Sequence, residues 1–367
     1  MKVSIITVCK NAASTLERTI NSVLNQDYDD IEYIIIDGKS TDETVDIIRK
    51  YESKLTYWCS EEDAGIYDAM NKGILHATGD IIGILNSDDW YEPGAIASSV
   101  KCLVENDADI SYGNMEVMCE NGLKKIRIAS QIVEPWEAMP WPHPTVFVRK
   151  RLYDEHGGYD DSYDIAADYK WLFERWIEGK NFVYLDRVIA HFSATGISSI
   201  NDKKTLKEAV RVKKEILSLV EDGASDLKDS LSKSIEITYG DDIIFNHPDI
   251  LEQCLLKMGV LDGINLVGMG NWGRRLLGAL ERVRPINCIV DNNRQLHGTL
   301  VGEKNHIIKS IQALENTNGL TIISVLGKKN TEELQQQLQQ FKVYNPVSLT
   351  QFRRNIGRIG IDNFYLE

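Results

Sequence analysis

The sequence predicts an α/β protein with two domains joined by a helical stretch. In the first two hundred residues, short apolar runs alternate with helix-period patterns, as βα units feeding a largely parallel sheet require. A second alternation of the same kind begins near Gly263, where a strand runs into a glycine-rich turn. Between them, from Asn201 to about Leu255, the chain is charged and helix-favouring, with Leu206, Val210, Val212, Ile216, Leu217 and Val220 forming an apolar stripe. The 367 residues suffice for two ordinary cores. The expected division is therefore 1–200, a helical connector over 201–260, and 261–367.

Taken in order, the expected strands of the first domain are Val3 to Val8, Glu32 to Ile36, Leu55 to Cys59, Ile81 to Leu85 and Ala108 to Tyr112. Leu16, Ile20, Val23 and Leu24 recur at helical spacing. Ser40-Thr41-Asp42-Glu43 has the order of a capping box, which opens a helix through Val45, Ile47 and Ile48. Glu120-Asn121-Gly122 predicts a hairpin turn, because Asn-Gly tolerates positive φ. In the second domain the expected strands are Ile264 to Val267, Ile286 to Val290, Leu320 to Val325 and Val343 to Tyr344. Helices are expected over Arg274 to Val283 and Thr331 to Gln340.

Composition narrows the function. A hydrophobic fraction of 43% and a charged fraction of 26% are those of a globular protein, and a formal charge of -14 repels phosphate backbones, which disfavours nucleic acid as a partner. The six cysteines are scattered, with no CxxC, and read as reduced thiols of a cytoplasmic protein. Met1-Lys2 leads straight into a short apolar run followed by Lys10-Asn11, which does not resemble a signal peptide, and no run of about 18 apolar residues predicts a transmembrane helix.

The most informative segment is Ile81-Ile82-Gly83-Ile84-Leu85-Asn86-Ser87-Asp88-Asp89, an apolar strand ending in two carboxylates. Ligands of open α/β sheets sit beyond the carboxyl ends of the strands. A carboxylate pair there can hold Mg²⁺ or Mn²⁺ against a diphosphate, while the neighbouring oxygens accept from a sugar hydroxyl or a metal-bound water. The bland alternative is that the pair caps a helix beginning near Pro93. Thr7, with Asn11 close behind, and Asp37-Gly38 stand at strand ends on the same edge. A carboxylate such as Asp37 can accept from a nucleobase N–H; otherwise it is a turn residue before Ser40.

Glu61-Glu62-Asp63-Ala64-Gly65-Ile66-Tyr67-Asp68-Ala69-Met70-Asn71-Lys72-Gly73-Ile74, then Ala77-Thr78-Gly79-Asp80, precede that strand. In this order the motifs resemble the family 2 glycosyltransferases, whose GT-A fold binds a nucleotide sugar across a parallel sheet, and the resemblance covers roughly Lys2 to Ser199. It implies that Thr7 and Asp37 contact the base, with Asn11 also on the nucleotide side. It further implies that Asp88 faces the nucleotide, that Asp89 ligates the metal, and that Asp63 approaches the diphosphate or the donor sugar. Met70 departs from the Arg that many relatives carry, which weakens the assignment of Asn71 and Lys72 to the donor. Transfer with inversion needs a base for the acceptor hydroxyl, and Asp168, at the start of a helix carrying Trp171, Leu172, Trp176 and Ile177, resembles the family's base. A dipole-facing helix carboxylate is its bland alternative. The resemblance also places His143 on the acceptor side and His191 within reach of the metal; either is otherwise a structural histidine. Trp136, Trp141 and Trp171 are candidates for stacking on acceptor sugars or for core.

In the second domain, Gly268-x-Gly270-x-x-Gly273 follows a strand and opens a helix, with Asp291 at the end of the next strand. This context resembles the Rossmann unit, in which glycines admit a pyrophosphate to a helix N-terminus and the acid holds a ribose. NAD or another nucleotide is one reading. The chain contains no Tyr-x-x-x-Lys, which disfavours a dehydrogenase, and a regulatory, sugar-nucleotide-binding, assembly or structural module is the other reading.

The function expected from the whole is a metal-dependent inverting transferase. It would move a sugar from a UDP-sugar to a glycan or lipid-linked saccharide in surface polysaccharide synthesis, in the cytoplasm with at most transient membrane contact. The alternatives are a nucleotide-sugar sensor that transfers nothing and a bifunctional enzyme whose second domain modifies the sugar with NAD.

Overall fold

Apolar β-branched runs set the first sheet. In a computed structural model, which describes residues 1–118, 124–129, 134–193, 202–221, 223–325, 328–341, 343 and 346–363, strand β1 (Val3–Cys9) is buried along its whole length. It lies parallel between β2 (Ile31–Asp37) and β4 (Ile81–Ile84), and β3 (Tyr57–Ser60) extends the parallel half beyond β2. Such strands are covered on both faces, which is why they read as continuous apolar runs rather than as alternation.

The other half of the sheet is mixed. It comprises β5 (Trp90–Tyr91), β6 (Ile110–Met118), β7 (Lys124–Arg127), β8 (Phe147–Arg149) and β9 (Phe182–Ser193), giving the order β3-β2-β1-β4-β8-β6-β9-β5 with β7 paired to β6. β8 runs antiparallel to both β4 and β6, and β5 antiparallel to β9. The expected turn at Glu120-Asn121-Gly122 lies outside the described residues, but β6 and β7 pair antiparallel on either side of it.

Helices α1 (Leu16–Leu24), α2 (Thr44–Tyr51), α3 (Ile66–His76), α4 (Ala95–Glu105), α5 (Lys150–His156) and α6 (Ala167–Ile177) belong to this unit. Leu16, Ile20 and Val23 of α1 pack with Ile5, Tyr33, Ile35, Ile81, Leu85 and Phe147 in its core. One local expectation is corrected, and one bland alternative falls away. The Ser40 capping box does not form: α2 starts at Thr44, whose N–H donates to Asp42 at 3.1 Å, while Ser40 turns back to Asp37. Asp88 and Asp89 do not cap the next helix either, because α4 starts at Ala95 behind Gly94, whose φ of +74° suits a residue without Cβ.

The chain divides into two compact units, Met1–Glu208 with Ser218–Val220, and Ala209–Leu217 with Glu221–Glu367. Helix α7 (Asp202–Leu219) contributes to both. The second unit contains α8 (Ser225–Asn246) and α9 (Pro248–Lys257), both within the stretch expected as a connector. They are followed by β10 (Ile264–Val267), α10 (Asn271–Leu280), β11 (Ile286–Val290), β12 (Leu300–Val301), β13 (His306–Lys309), β14 (Leu320–Ile323), α11 (Lys328–Gln340), β15 (Val347–Ser348) and α12 (Leu349–Asn363). Its sheet has the order β12-β13-β11-β10-β14-β15, parallel except at β12, with Leu266, Leu276, Ile289, Ile322 and Phe352 in the core. The strand expected at Val343 to Tyr344 is instead β15. Val343 is not in a strand, and Tyr344 lies outside the described residues.

Candidate active site

The central reversal of the first sheet, with β2 on one side of β1 and β4 on the other, puts the ends of these strands around one rim, where open α/β sheets bind their ligands. Beyond β4 the chain turns through Asn86 to Asp89. The Thr19 hydroxyl fixes this turn by donating to the carbonyls of Ser87 (2.9 Å) and Asp89 (2.6 Å). Arg18 donates to the Asp88 carbonyl at 2.8 Å, and its guanidinium lies 3.7 Å over the Trp90 ring.

Asp89 is fully buried. Its Oδ1 accepts from the Ser193 N–H at 3.0 Å, and its Oδ2 has no hydrogen-bond partner among the described residues. Burial, then the neighbouring Asp88, pushes its carboxyl well above the ordinary carboxylate range, and burial raises Asp88 as well. An orphaned, buried carboxylate oxygen beside a second carboxylate fits a divalent cation, which would relieve both the desolvation and the repulsion. Among the described residues, no group of three or more His, Cys, Asp and Glu forms a ready cation cage.

His191 stands beside this turn, paired across the sheet with Trp90 and stacked on it at 4.7 Å. Both of its ring nitrogens are engaged, Nε2 with Glu92 at 2.5 Å and Nδ1 with Glu116 at 2.8 Å. In this arrangement the His191 ring ties β5, β6 and β9 together, with each ring nitrogen held by a glutamate.

The side chains expected on the nucleotide side of the rim are tied into the protein. Thr7 is buried, with its hydroxyl 3.1 Å from Tyr33 Oη. Asp37 is also buried; its oxygens accept from the Ser40 hydroxyl (2.5 Å), the Ser40 N–H (3.0 Å) and the Ser60 hydroxyl (2.6 Å), so the carboxylate organises the rim from within. Asn11, at a φ of +51°, accepts from the Thr41 N–H at 2.9 Å and joins the loops after β1 and β2. Asp63 approaches Lys10 at 3.7 Å and packs directly on Gly38, where any Cβ would collide with its carboxylate.

Asp168 lies in the first turn of α6 and shares a cavity of about 100 Å³ with Asn86, Tyr67, Met70, His143, Pro144 and Phe192. The cavity thus brings the expected base alongside the turn that carries Asp88 and Asp89. The Tyr67 hydroxyl donates to Asp168 Oδ1 (2.8 Å) and to the Ile165 carbonyl (2.6 Å). Burial first, then Asp168, holds the phenol far above its usual range, so it stays protonated and donating. His143 faces the same cavity; burial lowers its pKa against the opposing pull of Asp168, which keeps the ring neutral at pH 7.

Asn71 is engaged within the protein. Its amide donates to the Tyr159 carbonyl and accepts from the Tyr159 N–H, both at 2.8 Å, a two-way clamp on the loop leading to Asp168. Trp141 and Trp171 are core residues, stacked on Phe182 and Tyr153, rather than an acceptor platform. Sequence reasoning did not single out Tyr67, although it stands inside the quoted motif, or Arg18, which no local pattern marks.

In the second unit Gly268 (φ +94°) and Gly273 allow the tight turn; a Cβ on Gly273 would strike the Gly268 carbonyl. Asp291 accepts from the N–H of Met269 at 2.6 Å and of Asn293 at 2.7 Å. The acid expected to hold a ribose thus braces the glycine turn. Nothing within 4 Å faces a Cβ on Gly270.

Comparison with known proteins agrees with this architecture. Residues 4–159 match the model of glycosyl transferase family 2. An uncharacterized glycosyltransferase of Mycobacterium tuberculosis H37Rv is 33% identical over 210 residues, 54% of this chain and 77% of that protein. A PGL/p-HBAD biosynthesis glycosyltransferase of Mycobacterium bovis is 30% identical over 221 residues, 56% and 82% of the two chains. Among solved structures, Staphylococcus aureus TarS 1–349 superposes with a TM-score of 0.55 at 17% identity, over 77% of this chain and 82% of that one. The Pyrobaculum calidifontis mannosyltransferase PcManGT, in complex with GDP-Man and Mn²⁺, does so with 0.50 at 18%, over 65% and 70%. The first unit therefore has the GT-A fold of a glycosyltransferase. The chain belongs to glycosyl transferase family 2.

Proposed function

We propose that this glycosyltransferase takes its sugar from a nucleoside-diphosphate donor, with UDP as the nucleotide, and passes it with inversion to a hydroxyl of a glycan or lipid-linked saccharide. The observation that carries this reading is the cavity shared by Asp168 and Asn86, which sets a carboxylate beside the Asp88-Asp89 turn. Two solved neighbours support the donor class: TarS 1–349 has been crystallised with UDP-GlcNAc, and PcManGT with GDP-Man and Mn²⁺.

In this reading the nucleotide lies on the rim formed by Thr7, Asn11, Asp37, Asp63 and Asp88. A cation held by Asp89, with Asp88 beside it, would neutralise the diphosphate as it departs. Asp168 removes the acceptor proton while that oxygen bonds to the anomeric carbon and the bond to the diphosphate breaks. The Tyr67 hydrogen bond orients Asp168 for this step, and neutral His143 is a polar contact for the acceptor. In the second unit Asp291 is already engaged by the glycine turn, which favours a structural or assembly role there over NAD-dependent chemistry. No described helix is long and apolar enough to cross a membrane, so a lipid-linked acceptor would be met at a membrane surface, which we assign to the cytoplasmic side.

Replacing Asp168 by Asn should abolish sugar transfer while UDP affinity in Mn²⁺ stays within a few fold. Unchanged turnover would remove Asp168 from the mechanism. A panel of UDP-sugars assayed for UDP release identifies the donor.

A further inference from the structure

Asp168 does not hold its own position. Ala166, the residue before α6, supplies no side-chain cap, and the amides of Asp164, Ile165 and Ala166 need acceptors from elsewhere. One carboxylate, 42 to 44 residues downstream, satisfies all three. Glu208 on α7 accepts the Asp164 N–H at 3.0 Å on Oε1, and those of Ile165 and Ala166 at 2.8 and 2.9 Å on Oε2. It is buried, and one turn earlier on the same helix Lys204 pairs with the Asp164 carboxylate.

Ile165 is thereby held from two sides. Its N–H goes to Glu208, and its carbonyl accepts from Tyr67, whose hydroxyl also holds Asp168 Oδ1. Glu208, Ile165, Tyr67 and Asp168 form one connected chain of hydrogen bonds. The carboxylate also neutralises the positive end of the α6 dipole. Without it, three amide donors would be left there, and by chain position the side chains best placed to answer them are Asp164 and Asp168 itself.

We propose that Glu208, which lies outside the stretch matched by the family model, is a positioning residue that sets Asp168 in the cavity. This rests on the assignment of Asp168 as the base. Glu208 touches neither donor nor acceptor in this scheme and acts only through the loop it grips.

The test uses full-length protein carrying Glu208→Ala, Glu208→Gln, Glu208→Asp, Asp168→Asn and the double variant Asp168→Asn/Glu208→Ala. UDP release is measured with UDP-GlcNAc, UDP-glucose and UDP-galactose in Mn²⁺, and UDP affinity in parallel. Misplacing a reacting group by about 1 Å can cost on the order of 100-fold, so Glu208→Ala should lower kcat by roughly 10- to 100-fold. KM for the donor and UDP affinity should stay within about twofold, since uniform binding is untouched, and Glu208→Asp should recover part of the rate. In the Asp168→Asn background, where transfer is already abolished, Glu208→Ala should leave UDP affinity within about twofold.

A Glu208→Ala enzyme that binds UDP and turns over like the wild type, while Asp168→Asn is inactive, overturns the proposal and leaves the base assignment standing. Activity retained in Asp168→Asn removes the base assignment and the proposal together. If Glu208→Ala does not fold, isosteric Glu208→Gln replaces it, because its NH₂ would face an N–H donor. Hydrogen exchange at the amides of Asp164 to Ala166 reads the clamp independently of turnover: faster exchange in Glu208→Gln supports it, and equal exchange overturns it.

Discussion

Replacing Asp89 by Asn should stabilise the cation-free protein while removing its response to divalent cations. In the native rim Asp89 is fully buried, one oxygen has the Ser193 N–H and the other has no partner. Leaving a buried acceptor unsatisfied costs about 1–3 kcal/mol, more when it is charged. Asparagine keeps an acceptor for Ser193, and although its NH₂ is as unpartnered as the oxygen it replaces, it carries no charge, so the expected gain is about 1–2 kcal/mol, a rise in Tm of roughly 2–8 °C for a unit of this size. The pH dependence has a definite sign. Because burial and Asp88 raise the Asp89 carboxyl in the folded state, the unfolded chain ionises first, and the wild type loses stability as pH rises from the ordinary carboxylate range through the raised value. The advantage of Asp89→Asn is thus absent at low pH and grows with pH. Differential scanning fluorimetry in EDTA across pH 4 to 8.5 measures it. Repeating the scans with Mn²⁺ alone should raise the Tm of the wild type and leave the variant unmoved. A variant less stable than the wild type in EDTA at pH 8, or one stabilised equally by Mn²⁺, would refute the assignment of the orphaned oxygen to a cation.

Asn71→Ala removes both hydrogen bonds to the Tyr159 backbone, at about 1 kcal/mol each plus the cost of the groups left unpaired. A loss of about 2–4 kcal/mol is expected by urea denaturation, with kcat reduced more than UDP affinity because the released loop leads to Asp168. Gly240→Ala tests the second unit. A Cβ there would run into the Arg353 backbone carbonyl, where α8 and α12 cross, and backbone cannot swing aside. The variant should lose several kcal/mol or fail to fold, and normal thermal stability would contradict that close crossing.

The parallel half of the first sheet was legible because β1, β2 and β4 are buried on both faces and write that burial as unbroken apolar runs. The antiparallel half was not. β5 has two residues and β8 three, and β9 carries Asp186 and Arg187 in mid-strand; long-range partners such as His191 opposite Trp90 define them, and no local pattern does. The site divides along the same line. Asp88-Asp89 could be picked out because the pair ends a strand with a recognisable apolar run, where ligand rims lie, and Asp168 because it opens a helix and resembles the family's base. What each carboxylate does was not in the period. Asp37 and Asn71 have the composition of ligand contacts, yet each is satisfied by its own protein, and His191 has the composition of a metal ligand, yet two glutamates hold it. Glu208 sits among charged residues of an amphipathic helix, with nothing local to separate it from Glu215 on the same helix. Sequence period therefore locates candidate groups at the ends of elements. The groups that hold such residues in place depend on contacts between distant segments, and in this fold those contacts bring Glu208 to the loop that leads into Asp168.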